Sequence, residues 1–338
     1  MKRQDLILKF LDKGKLITPL ALEQLEKEED LSVFLEKDGV FMTEYDFERI
    51  QILKNITSKT EEMSISDFVS YYQSKFSKIR NIFLKEKPLA YVSIDKINNT
   101  FKKGTIIGMV VSKENGLTVE DMTGVVTLKG GDADLDDVVA FEVEKKGVFE
   151  VKRVIYPDVP LRAVKTGSGR AMFVSDLHLD RDEKGKKFLK WFGEQDVKDL
   201  FIAGDIGDKR ELEKWIEEGK HVFVIPGEAD GDSYPQLPLN LEGDIISLSN
   251  PSMVELNGLK VLLVHEFKKE MLTKRHLGTM FSPEDQMVLE DVPDIVHCGH
   301  THKQIISNYK SITIVNSGSP LTPIVIDFKT RRYKVVKI

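Results

Sequence analysis

The sequence predicts an α+β chain of several domains: an N-terminal helical module, a small β-barrel and an α/β sandwich. Three observations carry this. Before Pro88, Leu and Ile recur at helical spacing, and after it short apolar runs alternate with polar residues. From Ala171 the rhythm becomes strand, loop, helix. In that last part, five separate apolar runs each end in Asp, Glu or His. With 338 residues, two or three domains are expected. The boundaries read as 1–87, 88–163 and 164–338.

Composition bounds the class. A hydrophobic share of 41% with 31% charged residues is that of an ordinary globular protein. No apolar run approaches the ~20 residues of a membrane span. The N-terminus carries charge on both sides of its apolar core and no small-residue cleavage site, so a cytoplasmic protein without a signal peptide is expected. The one cysteine, Cys298, excludes an intrachain disulfide and fits a reducing compartment. A net charge of −6 argues against broad polyanion binding but not against a local basic patch.

In the first module, Asp5–Leu11 and Leu20–Leu25 read as helices, with Thr18 as N-cap and Pro19 in the first turn. Leu31–Glu36 and Thr43–Leu53 read as two more. Ser66 is the expected cap of a longer helix, Asp67–Lys85, whose aromatic stripe reads as core or docking surface. Nothing here looks catalytic.

From Leu89 the strand candidates are LAYVSI, TIIGMVVS, LTVEDM, GVVTLK, VVAFEVE and GVFEVKRVIY. Short, curled and antiparallel, they suggest a Greek-key barrel of the OB type. Aromatics on these strands are few and Asp132–Asp137 is acidic, which favours a structural or partner-docking barrel over a nucleic-acid-binding one. Val154–Arg162 holds two prolines and reads as a stiff hinge, followed by a looser TGSG.

The last domain holds the chemistry. Asp176 and His178 follow the run AMFV, Asp205 follows LFIAG, and Glu228 and Asp230 follow HVFVIPG. His265 follows LKVLLV, and His300 and His302 follow DIVHCG. Alternation along an extended chain points Asp176 and His178 to one side, and His300 and His302 likewise. Strand carboxyl ends are where α/β sheets place their sites. Mixed imidazole and carboxylate ligands suit Mn, Fe or Zn better than Ca or Mg. Two ions sharing a bridging carboxylate would activate water against a phosphate ester. Gly204 and Gly299 allow tight bends. Asp208, and Asp230 beside it, read as groups behind the ligands. His297 reads as structural, and His221 and His276 as surface or packing residues.

The order of the five motifs resembles the calcineurin-like metallophosphoesterase family. The stretches TVEDMTG, VIYPDVP, PQLP, EMLTKRHL and VPDIVHCGHTH narrow the resemblance to the small-subunit family of archaeal DNA polymerase D, related to the B-subunits of eukaryotic replicative polymerases. It covers about residues 89–320. The resemblance implies an OB domain fused to a phosphoesterase domain, a large catalytic polymerase subunit as partner, and a 3′–5′ exonuclease acting in proofreading on a single-stranded DNA 3′ end. A sliding clamp would be reached through the holoenzyme, and no membrane is involved. It also implies Asp176, His178, Asp205 and His302 as ligands of one divalent metal. Asp205 would bridge to a second, held also by His265 and His300.

This chain departs from the family in two motifs. Gly-Asn-His-Asp is usual where it reads Gly227-Glu228-Ala229-Asp230. Glu228 would be a substitute ligand, and Ala229 has no proton to give a leaving group. Glu266 stands where glycine is usual. Metal binding with a weakened nuclease is the expectation. The alternatives are a stand-alone phosphoesterase acting on nucleotides or small phosphoesters, and a structural scaffold without metal.

Overall fold

In the computed structural model, the described residues are 3–26, 31, 34–35, 41–42, 50–60, 62–216, 219–231 and 233–338. Helices α1 (Arg3–Leu11) and α2 (Pro19–Leu25) form as the periodicity predicts. Leu6, Phe10, Ala21, Leu22 and Leu25 pack into one small core with Met42. Thr18 Oγ1 accepts from Ala21 N–H at 3.2 Å, as an N-cap should. Strands β1 (Leu16–Ile17) and β2 (Phe41–Met42) pair in parallel beside them. Half of the expected helix Leu31–Glu36 lies outside the described residues.

The expected helix Thr43–Leu53 is a correction. Residues 43–49 lie outside the described residues, but Ile50–Lys54 is strand β3. It runs antiparallel to Ser252–Leu256 of the last domain. An uncovered sheet edge offers unpaired N–H and C=O groups, and pairing there outweighs local helical spacing.

Helix α3 (Ile65–Glu86) starts two residues earlier than expected. Ser64, not Ser66, is its cap, because Asp67 three residues on reaches back to the Ser64 N–H at 2.9 Å. The segment Leu89–Ile94 is not a strand. Ser93 caps helix α4 (Ile94–Asn99), which buries Ile94 and Ile97 in the barrel core.

Strands β4 (Lys103–Ser112), β5 (Leu117–Asp121), β6 (Gly124–Lys129), β7 (Val138–Lys146) and β8 (Val148–Ile155) close into a barrel in the order β4-β5-β6-β8-β7. Every pair is antiparallel except β6 with β8, which meet in parallel at Leu128 and Phe149. The proline segment after β8 is pinned at both ends. Tyr309 Oη donates to Asp158, and Arg162 donates to the carbonyls of Val292 and Pro293 and to Asp294.

The last domain is a two-sheet sandwich. One sheet has β9 (Arg170–Val174) and β10 (Asp199–Ala203) at its centre, with β11 (His221–Ile225) beside β10 and β12 (Ile245–Ser247) beyond it. The other holds β13 (Ser252–Leu256), β14 (Leu259–Leu263), β15 (Ile295–Cys298), β16 (Ile305–Tyr309) and β17 (Ile312–Asn316). Phe173, Phe201 and Phe223 stack between the sheets at 5.2 and 4.6 Å. Each buried Phe is worth about 2–3 kcal/mol. Helices α5 (Glu183–Gly193) and α6 (Lys209–Trp215) cover the outer face of the first sheet. Among the described residues no helix is long and apolar enough to cross a membrane.

Arg275, from the stretch EMLTKRHL, is fully buried. It reaches Glu86 at the end of α3 at 2.9 Å, and donates to the carbonyls of Leu289 and Glu290. Arg275→Leu should lower stability by about 3–5 kcal/mol, because it strands a partly buried carboxylate and two carbonyls. The urea midpoint reads this. Adding Glu86→Leu should restore part of the loss.

Candidate metal centre

The ends of β9, β10, β11, β14 and β15 meet at one edge of the sandwich. The sequence-predicted ligands come together there. One atom each from Asp176, His178, Asp205 and His302 lies within 4.8 Å of the others, a spacing that suits one metal ion. His302 Nε2 is 3.4 Å from Asp176 Oδ1 and 3.5 Å from His178 Nε2. A second group adjoins it. His265 Nε2 stands 3.5 Å from Asp205 Oδ1, and His300 Nδ1 is 3.0 Å from Glu228 Oε1. The His265 and His300 rings meet edge to face at 5.7 Å. Asp205 thus turns Oδ2 toward His178 and Oδ1 toward His265.

The side chains do not converge by strand alternation. Asp176, His178, Asp205, His300 and His302 all have positive φ, between 45° and 67°. Each sits in the left-handed region, past the strand end, where Asp and His are tolerated better than most residues. Backbone bonds hold these turns. Asp176 N–H donates to Gly204 O at 3.0 Å, and His178 N–H to Asp205 O at 2.9 Å. Gly204 has φ +82°, and a Cβ there would lie 2.4 Å from His265 Nδ1. A Cβ on Gly227 would lie 2.3 Å from Asp205 Oδ1. Only glycine lets these loops approach the ligands so closely.

The donor set fits a divalent ion. His265 Nδ1 is 2.7 Å from the Ala203 carbonyl, which fixes the proton on that nitrogen. Its Nε2 is buried, without a hydrogen-bond partner, and faces Asp205. A lone pair in that position is a vacant ligand. Burial alone would raise the Asp205 carboxyl. The His265 imidazole, the Ala229 N–H at 3.0 Å and His178 outweigh it and hold the group at about 2. Burial would lower His265, but Asp205 and the Ala203 carbonyl raise it. Asp176 and His265 are enclosed, while His302 and Glu228 stand in solvent, so the site is a bowl open on one side.

The two residues expected behind the ligands differ. Asp230 accepts from the N–H groups of Ile206, Gly207 and Gly227 at 2.8 to 3.0 Å, and so joins two ligand loops. Asp208 does no such thing. It caps α6 through the N–H groups of Arg210 and Glu211, a local demand of the helix start. His221 pairs with Asp199, and His276 with Asp285. Glu266 is half exposed and paired with Lys268.

Sequence reasoning missed three supports. Asn250 Oδ1 accepts from the His265 N–H at 3.1 Å, and Gln236 holds Asn250 and the Gly227 carbonyl. Arg181 donates to His178 Nδ1 at 3.1 Å. Ser175 and Ser317 join the buried His297 to Asp176. Burial pushes His297 down to about 3, so it is neutral. Ser175 adjoins Asp176 in sequence and was the one available signal.

Two measurements check this geometry. Asp230→Ala leaves three N–H groups without an acceptor, and should lower the urea midpoint by the equivalent of about 2–3 kcal/mol. The second uses pH. A carboxyl held below its ordinary 3.8 stabilises the fold above that pH, and this contribution is lost as the pH falls toward 2. Chelator-treated wild type should therefore exceed Asp205→Asn in urea midpoint at neutral pH, and the gap should close in acid.

The calcineurin-like phosphoesterase superfamily domain profile matches residues 170–335. Over longer spans the chain is similar to proteins named DNA polymerase II small subunit. The one from Methanothermobacter thermautotrophicus is 26% identical over 93% of this chain and 86% of its own length. That from Archaeoglobus fulgidus is 26% identical over 80% and 74%. That from Pyrococcus abyssi is 28% identical over 79% and 59%. A solved structure described as a novel archaeal phosphodiesterase resembles the chain remotely, at 17% identity and TM-score 0.37, covering 50% of this chain and 99% of that one. The resemblance read from the motifs is borne out: residues 170–335 carry a calcineurin-like phosphoesterase domain, and the chain is a homologue of the archaeal DNA polymerase II small subunits.

Proposed function

We propose that the chain is the accessory, proofreading-type small subunit of an archaeal replicative DNA polymerase, with a metal-dependent 3′–5′ exonuclease site of reduced strength. One observation carries the reading: an Asp176–His178–Asp205–His302 cluster at the strand ends of a polymerase small-subunit homologue. Two divalent ions, Mn, Fe or Zn, would supply Lewis-acid activation of water and neutralise phosphoester charge. Asp176, His178, Asp205 and His302 would hold one. Asp205, His265, His300 and Glu228 would hold the other, since the two Asp205 oxygens face opposite groups. Glu228 adds a negative charge where the family has an amide, and electrostatically this opposes an anionic substrate.

The reduced strength follows from Ala229. Its N–H donates to Asp205, but its methyl offers no proton to a leaving oxygen. General acid help is worth about 10²–10⁴ in rate. A cavity of about 620 Å³ extends from His265 and Glu228 past Tyr234 to Lys274 and to Val138 of the barrel. It would lead a single-stranded DNA 3′ end to the ligands. The barrel, read as an OB type, and the units 1–87, 88–163 and 164–338 together would dock the large catalytic subunit. Contact with a sliding clamp would come through that holoenzyme.

The test is cleavage of a mismatched 3′ end with Mn²⁺, with and without the large subunit. Slow cleavage is expected, lost in Asp205→Asn and raised about 10²-fold in Ala229→His. No cleavage by any of these, in either setting, reduces the chain to a scaffold.

A further inference from the structure

A chain of hydrogen bonds runs from one sheet of the sandwich to the other and ends on Asp176. It begins at His297 in β15. His297 Nε2 is 3.0 Å from Ser317 Oγ, just past the end of β17. Ser317 Oγ is 2.9 Å from Ser175 Oγ at the end of β9. Ser175 Oγ donates to Asp176 Oδ2. His297, Ser317, Ser175 and Asp176 are all buried.

Counting protons fixes the direction. The Asp176 carboxylate only accepts, so the single Ser175 proton goes to it. Ser175 must then accept from Ser317, and Ser317 from His297. His297 therefore carries its proton on Nε2. Its Nδ1 is left buried without a partner, and the edge of the ring contact with Phe173, at 5.1 Å and 84°, sets its orientation. Gly299 makes room: a Cβ there would lie 2.6 Å from Ser175 Cβ and 2.7 Å from Asp176 Oδ2.

With Oδ2 tied back, the other oxygen is the one presented. Asp176 Oδ1 accepts from the His300 N–H at 3.2 Å and faces His302 at 3.4 Å. A carboxylate not held this way rotates about its last bond and exchanges the two oxygens. We infer that His297 is a positioning residue for Asp176, acting through Ser317 and Ser175 to aim one carboxylate oxygen at the metal. The inference rests on the reading of Asp176 as a metal ligand. Partners behind a ligand are worth about 10–100-fold in metal affinity.

The experiment is calorimetric titration of Mn²⁺ into the full chain, with a thermal melt of each variant. His297→Leu and Ser317→Ala should each weaken Mn²⁺ binding about tenfold or more. Their double variant should be no weaker than Ser317→Ala alone, because both cut the same relay. His297→Gln, which keeps an N–H near the same place, should bind within about threefold of wild type, and this guards against a folding effect. Wild-type affinity in His297→Leu, or a double variant equal to the product of the singles, overturns the relay. Absence of Mn²⁺ binding by wild type itself overturns the metal reading, and the relay with it.

Discussion

Asp230 accepts hydrogen bonds from the backbone N–H groups of Ile206, Gly207 and Gly227. It thereby ties the loop after β10 to the loop after β11. Asp205 lies on the first of these loops, and Glu228 and Ala229 on the second. Residues with positive φ cannot rest on regular strand pairing, so such fixed acceptors hold them in place. Asn250 performs the same service for His265, and the Ser175–Ser317–His297 relay for Asp176. Each ligand at the floor of the bowl is thus held from behind. His302 and Glu228 stand at the exposed rim, against Asp176 and His300 respectively.

Apolar packing, through Ile56, Val159 and Val288, and a few polar ties join the rest of the chain to this domain. Arg275 links the end of α3 to the loop before β15, and β3 extends the second sheet by one strand. Lys274 pairs with Asp134 and Asp137 of the barrel. Arg275 and Lys274 are neighbours in sequence and point to different units. This short stretch therefore touches both α3 and the barrel. The cavity that opens at His265 is walled by all three.

Electrostatics and chemistry separate at the site. Carboxylate and imidazole groups that could hold a cation stand together, and the Asp205 carboxyl is held below its ordinary range. On the proposed reading, the methyl of Ala229 leaves the site without a proton donor. Such a site would keep its affinity for cations and lose much of its rate, since ligation depends on lone pairs and turnover also depends on proton delivery.

That these Asp and His residues gather at one place was legible in the sequence because each follows an apolar run, and apolar runs of this length become buried strands whose ends lie together at a sheet edge. The helices α1 and α2 were legible for a similar reason: their apolar spacing is local. The strand at Ile50–Lys54, the helix at Ile94–Asn99 and the cap at Ser64 were misread. The first depends on a sheet edge two hundred residues away, and the others on short-range hydrogen bonds that periodicity does not encode. Asp208 and Asp230 look alike as loop acids, yet one caps a helix and the other joins two loops. Which residues can bind a cation, and that Ala229 cannot donate a proton, follow from side-chain chemistry and are readable along the chain. How the candidate ligands face each other, and that His297 stands behind Asp176, come from the fold, because hydrogen bonds between sheets are set by packing and not by neighbours along the chain.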